Sequence, residues 1–262
     1  LVTAAAAGYW YARPLLLTGT GYAAHNACAL LHIAGREDAA SDLPPNPLVP
    51  YLRTVVNDDG SVSTSILGVL ARQTAWHTDG FGCTIGSERP SLPHTPTPVP
   101  SSNPIAEAPV PAEVAPALAA ALDGAFADGL GTRAVVVVKD GELIAERYAE
   151  GFTKDTPQLG WSMAKSVTSL LVGRMADQGA IELTDTDLRE DWARDERRDI
   201  SVDDLLRMQS GLAWDETYDL GTAITRMLYL DGDMAASAAA QPLEHAPGTF
   251  QQYSSGSTNI VC

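Results

Sequence analysis

Gly160-Trp161-Ser162-Met163-Ala164-Lys165-Ser166 is the stretch on which the reading of this chain turns. A serine hydroxyl is a poor nucleophile at neutral pH and needs a neighbouring group to take its proton. Residues three apart on a helix share a face, with Cβ atoms about 5–6 Å apart. Ser162 and Lys165 therefore meet if a helix opens at the serine. Val167, Leu170, Leu171 and Val172 supply apolar positions for that helix, which is predicted from about Ser162 to Gln178, with Gly179 as its C-cap. A helix N-terminus at Ser162 also turns the positive end of the macrodipole, and unused backbone N–H groups, toward any oxyanion formed there.

About ninety residues further on, Pro247-Gly248 makes a turn that leads into Phe250-Gln251-Gln252-Tyr253-Ser254-Ser255. Alone, S-x-x-K is a weak signal because serine and lysine are common. A tyrosine after a Pro-Gly turn is, alone, most often a packed aromatic. Together they describe a nucleophile (Ser162), a cation beside it (Lys165) and a tyrosine-bearing loop that closes the site. An ordinary lysine, with a pKa of about 10.4, is charged at neutral pH and accepts no proton. Burial or a second charge must depress it before it acts as a base. Otherwise it stays charged and stabilises a tyrosinate. The residues leave both routes open.

Around this pair the chain divides into three. Residues 1–86 form an N-terminal extension, 87–111 a proline-rich linker and 112–262 a catalytic-type domain. In the extension, Leu1 to Ala12 is apolar and alanine-rich but shorter than the roughly 20 residues that span a bilayer. It reads as the tail of a signal peptide or membrane anchor, or as a short buried helix or strand. Gly19 to Gly21 reads as a flexible break before a helix over 22–33. Asn57-Asp58-Asp59-Gly60 is a turn, and Val62 to Ala71 suits a strand or an extended pair. His25, His32 and His77 lack metal-ligand spacing and read as packing or surface residues. In the linker, Pro90, Pro93, Pro96, Pro98, Pro100, Pro104, Pro109 and Pro111 favour extended chain over helix or ladder.

In the third region, Glu113 to Asp128 has helical periodicity. Arg133–Lys139 and Glu142–Tyr148 read as strands joined by Asp140-Gly141, a pair suited to a tight hairpin. The β-branched run Val135–Val138 predicts a strand buried on both faces. Ser201 and Asp204 signal a helix start for Val202–Gln209, stopped by Gly211. Further helical stretches are expected near Thr222–Leu230 and from Met234. There is no internal repeat.

The chain has 262 residues and a net charge of −16, from 33 acidic and 17 basic side chains. Nucleic-acid binding needs clustered Lys and Arg, and docking on anionic lipid needs a basic surface; this balance argues against both. Three cysteines are present. Cys28 and Cys83 are either paired in an oxidising compartment or free. No metal, nucleotide or flavin motif is visible: Gly19-Thr20-Gly21 lacks the rest of a dinucleotide fingerprint. No cofactor is expected, and composition is silent on oligomeric state.

Over residues 112–262 the motifs W-S-M-A-K-S (161–166), D-L-L-R-M-Q-S-G-L (204–212) and P-G-T-F-Q-Q-Y-S-S (247–255) resemble the serine β-lactamase and penicillin-binding-protein superfamily. The Y-x-S form resembles the branch of class C β-lactamases, esterases and D-alanyl carboxypeptidases. Within it, Met208-Gln209 with Asp215-Glu216-Thr217-Tyr218 is most similar to 6-aminohexanoate-dimer hydrolases. Residues 1–86, ending in Gly82-Cys83-Thr84, resemble the extension of uncharacterised bacterial members. The resemblance implies an α+β fold, with an antiparallel sheet and a helical subdomain. It implies Ser162 as acylated nucleophile, Lys165 and Tyr253 in proton transfer, and the Ser162 backbone N–H as half of an oxyanion hole. It further implies that Ser255 orients substrate or bonds Lys165, and that Tyr218 contacts substrate. The superfamily's third motif, K-T-G or H-x-G, does not follow Ser255 in these residues. The expectation is a truncated domain, incomplete at its C-terminus, with an open edge at the 133–148 hairpin.

These readings point to a serine hydrolase acting on small amides or esters through an acyl-enzyme, with linear substrates favoured over β-lactams. The alternatives are a D-alanyl carboxypeptidase or β-lactamase-type enzyme, a non-catalytic module that binds penicillin or cell-wall peptide, and a structural fragment with no site. The signal-like start, a Cys28–Cys83 bond if the two pair, and the superfamily resemblance favour an exported protein, whether periplasmic, membrane-anchored or secreted. The dimer hydrolases suggest the cytoplasm instead.

Overall fold

One side of the N-terminal helix is built almost entirely from small residues. In the computed structural model α1 runs unbroken over Val2–His32. Thr20, Ala23, Ala24, Ala27 and Cys28 recur at helical spacing and are all buried. Ala24, Ala27 and Cys28 pack against Val62 and Ala75 of a sheet. The structure describes residues 2–36, 43, 46–92 and 105–262.

Gly19 to Gly21 is thus not a break. A Cβ on Gly19 would lie 2.7 Å from Leu48 Cδ1, and one on Gly21 would lie 2.9 Å from Tyr229 Cβ. The glycines serve close approach of the helix, which outweighs their poor helix propensity. The first half of α1 is more open, with Tyr11 91% exposed. Among the described residues, no helix is long and apolar enough to cross a membrane.

The sheet against α1 is an antiparallel meander of β1 (Leu52–Val56), β2 (Val62–Ile66), β3 (Leu70–Thr78) and β4 (Gly82–Ile85), in that order. The turn expected at Asn57–Gly60 joins β1 to β2, with Gly60 at φ +80°. Every residue of β2 is buried. Two of its hydroxyls bond within the sheet: Thr54 pairs with Thr64 at 2.8 Å and Ser63 with Thr74 at 2.9 Å. Thr20 of α1 donates to Ala71 O at 2.7 Å, locking helix to strand. His32 and His77 stack with ring centroids 5.1 Å apart.

Cys28 and Cys83 are joined in a disulfide across 55 residues, so the open alternative closes in favour of pairing. A cross-link over a loop of that length removes chain entropy from the unfolded state, about 4 kcal/mol. Cys28→Ser is expected to lower stability by about that amount, read as a fall in the urea midpoint. An unchanged midpoint would mean that packing alone holds α1 to β4.

By compactness the chain forms two units, Leu1–Pro93 with Leu159–Cys262, and His94–Gln158. The second holds α2 (Ala115–Ala125) and the hairpin β5 (Ala134–Lys139)–β6 (Glu142–Tyr148). Asp140 and Gly141 take φ +52° and +83°, the paired left-handed conformation that a two-residue hairpin turn requires. Arg147 of β6 bonds Asp123 of α2 at 2.8 Å. β5 is not buried on both faces as its valine run suggests. Val136 and Val138 on one face are 54% and 46% exposed, while Val135 and Val137 on the other are partly buried, and the described sheet has only two strands. Of the linker prolines, Pro90, Pro109 and Pro111 lie outside helices and strands; Pro93, Pro96, Pro98, Pro100 and Pro104 are outside the described residues.

The first unit continues with α3 (Met163–Asp177), α4 (Val202–Leu206), α5 (Ala223–Tyr229), α6 (Met234–Ala239) and α7 (Ser255–Val261). Gly179 ends α3 at φ +70°, and its N–H bonds Ala176 O. Of the apolar run along α3, Val172 is buried while Leu170 and Leu171 are exposed. Ser201 and Asp204 form the full capping box of α4, which stops earlier than expected, at Leu206. The core beneath the site joins Trp192, Ile200, Leu205, Leu212 and Ala239 to Trp214, Ile224, Met227 and Ala238, with Ile260 of α7 touching both groups. Helices, an antiparallel sheet and a hairpin make the chain α+β, as the sequence implied.

Candidate active site

Ser162 stands at the N-cap of α3 and is exposed. The residue before it, Trp161, is held at φ +42°, a conformation that is strained for an aromatic side chain. One turn along, Lys165 is half-buried. Its Nζ donates to Ser162 Oγ at 3.1 Å and to Ser255 Oγ at 2.8 Å. The lysine thus bridges two hydroxyls that lie 93 residues apart in the chain, Ser162 by helix periodicity and Ser255 by tertiary packing.

Ser255 is brought there by α7. Gly248 N–H bonds Gln209 O and Gln252 N–H bonds Met208 O, both at 2.9 Å, which clamps the approach to Tyr253. Gln252 Nε2 adds a bond to Trp214 O at 2.7 Å. Ser254 caps α7 by accepting from Ser257 N–H at 3.0 Å. A Cβ on Gly256 would lie 2.7–2.9 Å from the Trp214 ring, so only glycine lets α7 seat this closely.

Glu216 completes the network. Its carboxylate accepts from Ser255 Oγ at 2.5 Å, Ser255 N–H at 2.8 Å and Trp214 Nε1 at 2.5 Å. A serine hydroxyl has one proton. Ser255 gives its proton to Glu216 and therefore turns a lone pair toward Lys165. Glu216 lies in the Asp215–Tyr218 motif, but nothing in the sequence assigns it a part in the site. Its role depends on a contact 39 residues away that no local pattern announces.

Tyr253 meets the lysine through its ring, with Lys165 Nζ 4.9 Å from the centroid, a cation–π distance. It is about half exposed. Tyr218 packs edge-on to Trp161 with centroids 6.0 Å apart. Burial, then the Glu216 charge, pushes the Tyr218 phenol above its ordinary pKa. All five sequence-selected residues, Ser162, Lys165, Tyr253, Ser255 and Tyr218, thus fall in one region of the first unit.

A cavity of about 490 Å³ opens at Ser162, with Trp161, Tyr218 and Tyr229 among its walls. Tyr22 of α1 also lines it, although it belongs to none of the sequence motifs. Among the described residues, no group of three or more His, Cys, Asp or Glu is arranged to hold a metal ion.

A serine at a helix N-terminus, a lysine one turn on and a Y-x-S serine returning to that lysine define a class of site. The β-lactamase family profile matches residues 118–261, more than half of the chain. The chain belongs to that family, within the serine β-lactamase and penicillin-binding-protein superfamily that its motifs resemble. Among solved structures it is similar to a Bacillus anthracis protein described as a 6-aminohexanoate-dimer hydrolase, at 22% identity and a TM-score of 0.40. That likeness covers 50% of this chain, and the chain spans only 38% of that protein's length. No curated protein matches the sequence.

Proposed function

We propose that the protein is a serine hydrolase that cleaves amide or ester bonds through an acyl-enzyme on Ser162. The observation that carries this reading is the bridging of Ser162 Oγ and Ser255 Oγ by Lys165 Nζ, at 3.1 and 2.8 Å. As donor to both hydroxyls, the lysine lowers the proton affinity of Ser162 and leaves Tyr253 to receive the proton. Ser162 Oγ attacks the carbonyl carbon, and its proton passes to Tyr253, which takes part as the phenolate that the Lys165 charge beside its ring stabilises. The oxyanion faces the N-terminus of α3, where the Ser162 backbone N–H is one donor. Collapse expels the amine or alcohol, which takes the proton from Tyr253, and water then releases the acyl group by the same route in reverse. The step requires the Tyr253 oxygen to come within about 2.6–3.2 Å of Ser162 Oγ when substrate is bound.

Linear amides or esters are the proposed substrates, with Tyr218 contacting them over the site. The Cys28–Cys83 disulfide supports an exported location. The test is turnover of a simple ester, a linear amide and a penicillin by wild type and Ser162→Ala. The expected result is hydrolysis of the linear substrates ahead of the penicillin, abolished in the variant. Equal turnover by both proteins would overturn the proposal.

A further inference from the structure

Helix α1 lies outside the family match, yet it supplies Thr18, Gly19 and Tyr22 to the cavity at Ser162. We propose that this cavity receives a neutral apolar group next to the scissile bond, preferentially aromatic, and that Tyr22 is a specificity-determining residue. The proposal rests on the hydrolase reading of Ser162 and names its substrate class.

Size, ring geometry and charge each support it. About 490 Å³ falls within the range of small-molecule sites and exceeds what an acetyl group fills. The rings in the walls form a continuous chain. Tyr22 meets Trp161 edge-on at 5.9 Å and Tyr229 at a tilt of 46° and 5.5 Å, while Trp161 meets Tyr218 edge-on at 6.0 Å. Rings set edge to face offer an incoming ring the same favourable arrangement. Burial pushes the phenols of Tyr22, Tyr218 and Tyr229 above the usual tyrosine value, which keeps these walls uncharged. The ionisable acid in the lining is Asp219, on a chain of net charge −16, so a carboxylate-bearing group is disfavoured.

The wall is fixed in place. Gly21 lets α1 approach Tyr229 Cβ more closely than a side chain allows, while Gly19 faces the methyl tips of Leu48 and Leu220. Tyr229 is held from the other side, where its carbonyl accepts from Gln73 Nε2 of β3 at 2.9 Å. The close approach at Gly21 therefore sets the position of Tyr22.

The test compares kcat/KM for ethyl acetate, methyl 3-phenylpropionate, 2-phenylethyl acetate and monomethyl glutarate. It uses wild type, Tyr22→Ala, Tyr22→Leu and Tyr22→Phe, with fluorophosphonate labelling of Ser162 followed in each. Wild type is expected to prefer an aromatic ester over the anionic one. Tyr22→Ala and Tyr22→Leu should lower the rate on the preferred aromatic ester about tenfold and that on ethyl acetate less than about twofold, while Tyr22→Phe behaves as wild type. The leucine variant keeps apolar packing, so it separates loss of the ring from loss of the fold. Equal effects on aromatic and small esters, or fastest turnover of the glutarate ester, would overturn the proposal while normal labelling leaves the hydrolase reading standing. Absence of labelling in wild type would overturn the hydrolase reading itself.

Discussion

Lys165→Met slows acylation of Ser162 by about a thousandfold, with little change in melting temperature. Methionine nearly matches the length of the lysine stem and removes only the charged donor. That donor holds Ser162 Oγ at 3.1 Å and Ser255 Oγ at 2.8 Å. Without it the serine keeps its full proton affinity, and the hydroxyl pair loses the group between them. The fold does not depend on it, because the buried core lies under α4–α7 and under α1, away from this side chain. The time course of fluorophosphonate labelling, beside a thermal melt, measures both quantities. A loss below about tenfold would assign the lysine to packing alone.

Glu216→Ala is expected to reduce both stability and activity. Three donors lose their acceptor at once: Ser255 N–H, Ser255 Oγ and Trp214 Nε1. A buried donor left unsatisfied costs about 1–3 kcal/mol; partial access of water limits the sum to about 3 kcal/mol. The Ser255 hydroxyl, freed from the carboxylate, is no longer fixed in the orientation that meets Lys165, and acylation should fall about a hundredfold. Glu216→Gln separates the two effects. Its amide retains one acceptor oxygen and places an NH₂ against a donor, so stability falls less while Ser255 remains misoriented. If the glutamine variant acylates at the wild-type rate, Glu216 serves the fold and not the site.

What could be read in advance was whatever is written within one turn of chain. Ser162 and Lys165 share a helix face, Gly179 ends that helix, Ser201 caps α4 with Asp204, and Asp140-Gly141 makes the hairpin turn. The disulfide was legible as a pair but not as a bond, because it needs a Cα separation that only the fold supplies. Glu216 and Tyr22 were not legible. Glu216 acts across 39 residues, and Tyr22 reaches Tyr229 and Trp161 only because α1 is continuous through Gly19 and Gly21. Local propensity reads glycine as a break, whereas here a neighbouring chain fills the space where Cβ would stand. The valine run of β5 misled in the other direction, since β-branched residues record strand preference and not what covers the strand.

Intact-mass measurement after exposure to a fluorophosphonate, with peptide mapping of the adduct, tests the central claim most directly. The account predicts one adduct, located on Ser162 and absent from Ser162→Ala. A folded wild-type protein that acquires no adduct there would contradict it and make a non-catalytic binding module the better description.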